Sequence, residues 1–376
     1  MTNLADDGSF TSPLVKALRG HVDVFAESMA GPKPSLAALE KVRPSAAAWV
    51  YYSALVAWAE DHKLVDPWLH ADAKARREEY APPQAGGMCG WLARAYAALC
   101  VHPATWCLLD PRYSALRAYT PSEEACRGLV EWWSSAAPSL AYEVTSGPAS
   151  ISGWIVGDIL QYLRDSRPGG GGGGNAQTPW WIADGILDLT LIPAAEQFRG
   201  ETLKTIDPAC GTGHFLIRKI DYLWEWYTTG SLHQRQVKPG KTMKPATGGT
   251  PLTPEEAIRR IVAGVDGCEI DPLTAAVARL RFVVAIGDLM HRSGLLPTLR
   301  LDTIPPFQPR IVVGDSLLAW KVSAAEYARI HPKLAAIQNL GIPDDVPAEA
   351  PKPQGPAPVA ITFPAQLDLF DEVAHA

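Results

Sequence analysis

The chain has 376 residues, of which 47% are hydrophobic, and a formal net charge of −6. This length and apolar content are enough for one or two domains with buried cores. The acidic balance argues against a stand-alone nucleic-acid binder, because neutralisation of phosphates by a basic face supplies much of the affinity for DNA.

The six cysteines show no Cys-x-x-Cys pair. This spacing argues against a zinc site and against a secreted disulfide scaffold, so we expect no metal. No apolar run reaches the length needed to span a membrane, and the N-terminus lacks the charged and apolar regions of a signal peptide. We therefore expect a cytoplasmic protein that does not bind membranes.

The N-terminal part of the chain, from about residue 12 to 165, is rich in alanine and leucine with helical periodicity. This pattern predicts an all-α N-terminal domain over residues 1–167, with six to eight helices. Six consecutive glycines then follow Pro168. Because such a run has almost no preferred conformation, residues 168–177 are predicted to form a hinge.

From Trp180 onward, strand patterns alternate with helical patterns. Such alternation predicts an α/β core over residues 178–342, in which a parallel sheet carries helices on both faces. Its first helix is predicted to begin at Thr178-Pro179 and to continue through Leu191. In this interpretation Thr178 is the N-cap and Pro179 suits the first turn.

The next segment, Asp207 to Leu216, reads Asp-Pro-Ala-Cys-Gly-Thr-Gly-His-Phe-Leu. A short buried strand is predicted before it, and helical spacing follows it. The turn between them contains Gly211 and Gly213, where the backbone can approach a ligand, and the next helix turns its N-terminal amides toward that ligand. The spacing fits neither the dinucleotide fingerprint nor the P-loop. An acid at the strand end can hold an ammonium group, so S-adenosylmethionine is the favoured ligand.

The second strand is predicted from Ile261 to Glu269, and a helix from Leu273 to about Ile286. An acid at the end of this strand can accept two hydrogen bonds from ribose hydroxyls, and Glu269 is the candidate, with Asp271 as a neighbour. Asp271 before a proline also has the pattern of a helix N-cap. The two roles are compatible.

A third strand is predicted over Arg310–Asp315, and Asp315-Ser316 follows it. The pair can be a simple turn that closes the strand. Alternatively, the carboxylate can pair with a buried hydrogen-bond donor of a ligand.

Together these motifs resemble the PglX-type adenine-specific DNA methyltransferases of BREX phage-defence systems, and the related single-chain restriction-modification enzymes, from Thr178 to about Trp320. The resemblance implies a Rossmann-like S-adenosylmethionine-dependent methyltransferase core. It also implies a set of cofactor-binding residues, which are Thr178, Pro179, Asp207, Ala209, Cys210, Gly211, Gly213, Phe215, Glu269, Asp271, Asp315 and Ser316. Cys210 and Cys268 are interpreted as small buried fillers.

The resemblance also implies roles for several of these residues. Thr178-Pro179 opens a helix that covers the methionine end of the cofactor, Glu269 binds the ribose, and Asp315 accepts a hydrogen bond from the amino group of the adenine ring. In the family, the methyl group passes to the exocyclic nitrogen of an adenine flipped out of DNA.

The sequence departs from the family at the catalytic motif. The family's Asn/Asp-Pro-Pro-Tyr/Phe tetrapeptide does not occur after Asp315, and Ile304-Pro-Pro-Phe307, which precedes it, lacks the polar first residue. We interpret that stretch as a loop leading into the third strand, and we identify no catalytic residue. Residues 343–376, rich in proline and alanine, are predicted to be a tail.

Two functions remain open at this stage. The chain is a DNA adenine-N6 methyltransferase of restriction-modification or phage defence, or the cofactor-binding part of one, or else it is a non-catalytic subunit or gene remnant that binds S-adenosylmethionine. Methylation of RNA or protein on the same fold is a weaker alternative. The expected partners are DNA, recognised through a further domain or chain, and a partner chain that supplies the catalytic motif.

Overall fold

The computed structural model describes residues 11–80, 87–141, 151, 153–164, 178–236, 242–318 and 321–337. The chain divides into two compact units. The first contains residues 1–144, 151–177 and 300–302, and the second contains residues 145–150, 178–299 and 303–376. The hinge predicted at 168–177 and the tail predicted at 343–376 lie outside the described residues, so these domain boundaries stay predictions.

The described part of the first unit consists of helices. Its α-helices are α1 (Thr11–Ala30), α2 (Leu36–Asp61), α3 (Lys74–Tyr80), α4 (Gly87–Ala97), α5 (Glu123–Ser135) and α6 (Trp154–Arg164). Short 3-10 helices lie at Ala71–Ala73, Ala98–Cys100, Pro103–Leu109 and Ala115–Arg117. No strand occurs among these described residues, although an all-α domain over 1–167 is still a prediction because several segments of that range are not described.

Helix α2 forms the centre of the first unit. The Ser35 hydroxyl caps its N-terminus by accepting the Ala38 N–H, and every residue from Ala48 to Glu60 is buried. A helix that is apolar on all sides has to be surrounded by other elements. Polar groups on it are accordingly satisfied inside the unit, since the Trp133 indole donates to the Ser53 hydroxyl at 2.8 Å.

The second unit contains a small parallel sheet and helices. Its strands are β1 (Thr205–Asp207), β2 (Val265–Glu269) and β3 (Arg310–Val313), in the order β1-β2-β3. Its helices are α7 (Trp180–Gln197), α8 (His214–Thr229), α9 (Pro254–Gly264), α10 (Pro272–Arg292), α11 (Ala324–Ile330) and α12 (Pro332–Ala335). The predicted parallel alternation of strands and helices is therefore present over the described residues.

Several predicted bounds are wrong. Residues 261–264 close α9 instead of opening β2, because the amphipathic helix that starts at the Thr253 N-cap continues to Gly264. Helix α10 continues to Arg292, beyond the predicted end near Ile286. Strand β3 stops at Val313, so Asp315 lies in the loop after it.

Strand β1 also differs from its prediction as a buried strand. Leu203, before the strand, is buried, but Ile206 in its middle is 66% exposed. The reason is position, because β1 has a single strand neighbour, β2, among the described residues.

Helix α10 is the core of the second unit, and its residues from Leu273 to Met290 are all buried. Phe282 on this helix contacts Phe307, with ring centroids 6.4 Å apart. Ile304 and Phe307 are 4% and 6% exposed. The Ile304-Pro-Pro-Phe307 stretch is thus a packed loop before β3, as predicted.

A buried ion-pair cluster joins α7 to α8. The Arg218 guanidinium donates to both carboxylate oxygens of Asp184 at 2.8 Å and to the Asp221 carboxylate at 2.9 Å, and all three side chains are at most 5% exposed. Next to it, the Tyr222 hydroxyl donates to Asp188 at 2.7 Å. Charged groups this deeply buried require such mutual pairing, so the cluster fixes the position of one helix against the other.

A stretch rich in basic residues follows α8, and Arg235 in it is packed against the protein rather than solvated. Its backbone N–H donates to Asp188 at 3.0 Å, and its guanidinium lies 4.0 Å from the centre of the Tyr222 ring. His233 and Lys244 of the same stretch are exposed, whereas Lys238 and Lys241 lie outside the described residues. In the described part of the chain, no helix combines the length and the hydropathy that crossing a membrane requires.

Candidate functional site

The loops that follow the three strands are joined by backbone hydrogen bonds. Cys210, after β1, donates its N–H to the carbonyl of Cys268 in β2 at 2.9 Å. Gly314, after β3, donates its N–H to the carbonyl of Glu269 at 2.9 Å. Because the strands are parallel, their carboxyl ends share one edge of the sheet, and these bonds bring the predicted acidic positions to that edge.

The glycine turn after β1 has the geometry that its sequence predicts. Gly211 and Gly213 have φ angles of +55° and +92°, which residues with a side chain rarely adopt. Gly213 is the N-cap of α8, and a Cβ atom on it would lie 3.3 Å from the Cβ of Ala278 in α10. Both the conformation and the close helix contact therefore require glycine at position 213.

The Glu269 carboxylate bridges the turn and the start of the next helix. One of its oxygens accepts the Gly211 N–H at 2.9 Å, and the other accepts the Asp271 N–H at 2.9 Å. The residue is 7% exposed. Each carboxylate oxygen can accept more than one hydrogen bond.

Asp271 is the N-cap of α10. Its carboxylate accepts the Thr274 N–H at 2.8 Å and the Thr274 hydroxyl at 2.7 Å. The capping interpretation of the Asp271-Pro272 pattern is therefore confirmed. Between the two acids lies Ile270, which is 49% exposed although it is apolar. The sequence analysis did not single it out, because the sequence alone does not distinguish an exposed apolar residue after a strand from a buried one.

Asp207, at the end of β1, accepts the Ala209 N–H at 3.1 Å. It borders a cavity of about 360 Å³ between α7, β1 and α8, to which Phe215 and Lys219 also contribute. Lys219 is 5% exposed, and its Nζ has no hydrogen-bond partner among the described residues. Burial lowers its pKa, an effect that the nearby Asp207 carboxylate opposes.

Asp315 has partners that the sequence analysis did not anticipate. Its carboxylate accepts the Leu317 N–H at 2.9 Å and lies 3.0 Å from Nε2 of His331. Its backbone N–H donates to the Tyr327 hydroxyl at 2.8 Å. Tyr327 lies in α11 and His331 is its C-cap, so this helix holds the loop after β3 in place. Ser316, beside Asp315, is half-buried.

A buried arginine supports the glycine turn from α10. Arg281 is 1% exposed, and its guanidinium donates to the Thr212 carbonyl at 2.7 Å and to the Thr212 hydroxyl at 3.1 Å. A local signal for this residue exists in the sequence, because an arginine inside an otherwise apolar helical run has to find a buried acceptor.

The prediction for Thr178 as an N-cap is wrong by one residue. Helix α7 begins at Trp180, Pro179 occupies the N-cap position, and the Pro179 carbonyl accepts the N–H groups of Ile182 and Ala183. Proline has no side-chain acceptor, so this end has no side-chain cap. The hydrogen bonds described above connect three places in the site, which are the loop of residues 207–213, Glu269, and the loop that contains Asp315. They do not include Thr178, Pro179, Phe215 or Ser316.

The two cysteines of the site have the burial expected of fillers. Cys210 is 5% exposed and Cys268 is 2% exposed. Burial raises the pKa of Cys210 well above its usual range and raises the pKa of Cys268 to about 11. Both are therefore protonated thiols at neutral pH and are poor nucleophiles.

Comparison with known proteins finds a sequence similarity to an adenine-specific methyltransferase. No family model matches the chain. The chain is, however, 30% identical over 296 residues to the adenine-specific methyltransferase PglX of Streptomyces coelicolor. The chain is a relative of PglX. The resemblance identified from the motifs is thereby confirmed.

The match with PglX covers 74% of this chain and 22% of PglX, so the chain spans about one fifth of the length of this relative. Among solved structures, the chain is similar to the type IIL restriction-modification enzyme MmeI in complex with DNA. That similarity has a TM-score of 0.36 and 13% identity, and it covers 83% of this chain and 42% of that one.

Proposed function

We propose that the chain provides the S-adenosylmethionine site of an adenine-specific DNA methyltransferase that acts in restriction-modification or phage defence. In this proposal residues 178–342 form part of a Rossmann-like methyltransferase core. The observation that carries the proposal is the Glu269 carboxylate, which holds the Gly211 N–H and the Asp271 N–H at the carboxyl ends of β1 and β2. The sequence relationship to PglX supports it.

The residues present fit the cofactor on two counts. The turn has no side chain at Gly211 or Gly213, where the φ angles are positive, so a ligand can approach its backbone. The acids beside the turn suit the donors of the cofactor, which are an ammonium group and hydroxyl groups. When bound, S-adenosylmethionine supplies an electrophilic methyl group on its sulfonium centre.

In this proposal each residue has the role that the family resemblance implies. Asp207 accepts hydrogen bonds from the ammonium group, and Glu269 accepts hydrogen bonds from the ribose hydroxyls. The exposed side chain of Ile270 offers an apolar surface to the adenine ring, whose amino group pairs with Asp315. Thr178 and Pro179, which precede α7, cover the methionine end in this proposal.

Transfer to DNA requires groups that this chain does not supply. The sequence contains no Asn/Asp-Pro-Pro-Tyr/Phe tetrapeptide. We propose that a further polypeptide segment provides the acceptors for the target amine and the recognition of DNA. The absence of the tetrapeptide equally favours a second candidate function, which is a subunit that binds S-adenosylmethionine without catalysis of its own.

Titration calorimetry with S-adenosylmethionine tests the proposed site. Glu269→Gln and Asp207→Asn are expected to weaken binding by about 1.5–3 kcal/mol each, because each removes a charge-assisted acceptor. Glu201→Gln, a change of an exposed acid in the same unit, is the matched control and should bind as the wild type does. Wild-type affinity in both site variants would reject the site.

A methyl-transfer assay separates the two candidate functions. The purified chain is incubated with unmethylated duplex DNA and S-adenosylmethionine that carries a labelled methyl group, with and without a candidate protein that contains the tetrapeptide. Label in adenine that depends on the second protein supports the split enzyme, whereas label transferred by this chain alone contradicts the need for a further segment. Cofactor binding without transfer in either case supports the non-catalytic subunit.

A further inference from the structure

Two cysteines of the first unit meet although they lie 37 positions apart in the sequence. The Sγ atoms of Cys89 and Cys126 are 2.7 Å apart. Cys89 lies in the first turn of α4, and Cys126 lies in the first turn of α5. Both residues are free thiols. A disulfide bond has an S–S length of about 2.05 Å, so a small movement of one sulfur atom would bring the pair to bonding distance.

The surroundings of the pair give its two members different access to solvent. Cys126 is fully buried, whereas Cys89 is partly exposed. The Glu123 carboxylate accepts the Met88 N–H at 2.8 Å and so holds the start of α4 beside α5. The Cys89 thiol also lies 3.4 Å from the carbonyl oxygen of Pro121. A reagent from solution can therefore reach Cys89 first.

The two thiols also differ in acidity. The hydrogen bond from Cys126 lowers the pKa of Cys89, an effect that burial and the Glu123 carboxylate oppose, and the same contact raises the pKa of Cys126. The thiolate is the nucleophile in thiol-disulfide exchange. Because Cys89 is the solvent-accessible member of the pair, it is the attacking thiol, and the buried Cys126 is the thiol that completes the exchange.

We propose that Cys89 and Cys126 are a modification site that forms a reversible disulfide with a low-molecular-weight disulfide as oxidant. The Cys89 thiolate attacks one sulfur of the oxidant, which forms a mixed disulfide and releases one thiolate. Cys126 then loses its proton and attacks the Cys89 sulfur, which forms the internal disulfide and releases the second thiolate. Two protein thiols are oxidised, and one small disulfide is reduced to two thiols.

The other described cysteines do not share this environment. Cys107, Cys210 and Cys268 are fully or almost fully buried. Cys100 is partly exposed, but burial raises its pKa to about 12, so it has little thiolate at neutral pH. The site is therefore selective for the Cys89–Cys126 pair, and its chemistry is independent of the cofactor site proposed above.

Incubation of the full chain with oxidised glutathione, followed by alkylation and peptide mass spectrometry, tests this site. The expected result is the loss of two thiols per chain and a cross-linked peptide pair that contains Cys89 and Cys126. Dithiothreitol should restore both thiols. Cys100→Ser is the matched control and should still lose two thiols, whereas Cys89→Ser should lose none.

The Cys126→Ser variant reports on the order of the steps. It is expected to keep one glutathione on Cys89, because no second thiol can displace it. The unfolding temperature of the wild-type chain provides a further test that needs no substitution. The oxidised form should unfold at a temperature higher by about 5 °C, since a cross-link restricts the unfolded chain.

Three outcomes would overturn the proposal. These are retention of all six thiols by the wild-type chain under oxidation, a cross-linked peptide pair that joins other cysteines before Cys89 and Cys126, or stable glutathione on Cys89 in the wild-type chain. If Cys89→Ser unfolds, Cys89→Ala and the thiol count of the wild-type chain decide the same question.

Discussion

Lys219 is a buried amine that lacks a hydrogen-bond partner among the described residues, and this has a measurable effect on stability. Because burial lowers its pKa in the folded state, the unfolded chain binds more protons at pH values between the folded pKa and the ordinary value of 10.5. The contribution of this residue to stability therefore becomes more favourable as the pH rises through that range.

The Lys219→Met variant tests this sign. At pH 7 it is expected to raise the free energy of unfolding by about 1–3 kcal/mol, because it removes an unsatisfied buried polar group. The gain over the wild type should shrink as the pH approaches 10. Urea unfolding at several pH values measures it, with Lys244→Met as the control because Lys244 is exposed. A gain in the free energy of unfolding that does not change with pH would contradict the conclusion that burial lowers the pKa of Lys219.

Individual residues of the candidate site differ in how far sequence could predict them. The positive φ angles at Gly211 and Gly213, and the cap at Asp271, follow from local rules and were predictable. The contacts of Arg281 with Thr212 and of His331 with Asp315 join residues 69 and 16 positions apart. Arg281 in an apolar run signals that a buried acceptor exists but not which residue it is, and no local pattern marks the contact of His331 with Asp315.

At the scale of elements, the helices were easier to predict than the strands. Helix α8 has the predicted spacing, because its apolar residues recur on one face of a long helix. Strand β2 was predicted to begin four residues early, since the apolar residues before it belong to the last turn of α9. When one apolar run contains the end of a helix and the start of a strand, the sequence does not show where the boundary between them lies.

The link between α7 and α8 depends on charge balance inside the protein. Arg218→Met is expected to destabilise the chain by about 3–5 kcal/mol, because it leaves the carboxylates of Asp184 and Asp221 buried without a counter-charge. The triple variant Asp184→Leu/Arg218→Met/Asp221→Leu should recover most of this loss. Arg199→Met, on an exposed arginine, is the control.

Urea unfolding measures these variants. A small effect of Arg218→Met alone would show that the cluster does not hold the two helices together. Burial raises the pKa of Asp184 even though Arg218 opposes the shift, which indicates how strongly the surroundings disfavour an unpaired charge there.

At the scale of the whole molecule, the sequence indicated a helical N-terminal part and a parallel sheet after it. The described residues show both, whereas the hinge at 168–177 and the tail at 343–376 lie outside them. Composition could not indicate where the charges lie. Arg235, from the most basic stretch of the second unit, pairs with Glu225 and packs on Tyr222 instead of facing solvent.

The net charge of −6 leads to a prediction about DNA. The purified chain alone is expected to bind duplex DNA with a Kd weaker than about 10 μM at physiological salt, because an acidic protein neutralises few phosphates and so releases few counterions. Fluorescence anisotropy with a labelled duplex measures this. Submicromolar binding would contradict it and would indicate that recognition of DNA resides in this chain.

Strand β1 has a single strand neighbour in the described part of the chain, and Ile206 at its middle faces solvent. Covering a side chain of this size with apolar atoms recovers about 1.5–3 kcal/mol, and an outer strand also presents unpaired peptide groups. The outer strand therefore offers an apolar side chain to which another molecule can bind. Because β1 is the outer strand among the described residues, we expect the purified chain to self-associate at high concentration.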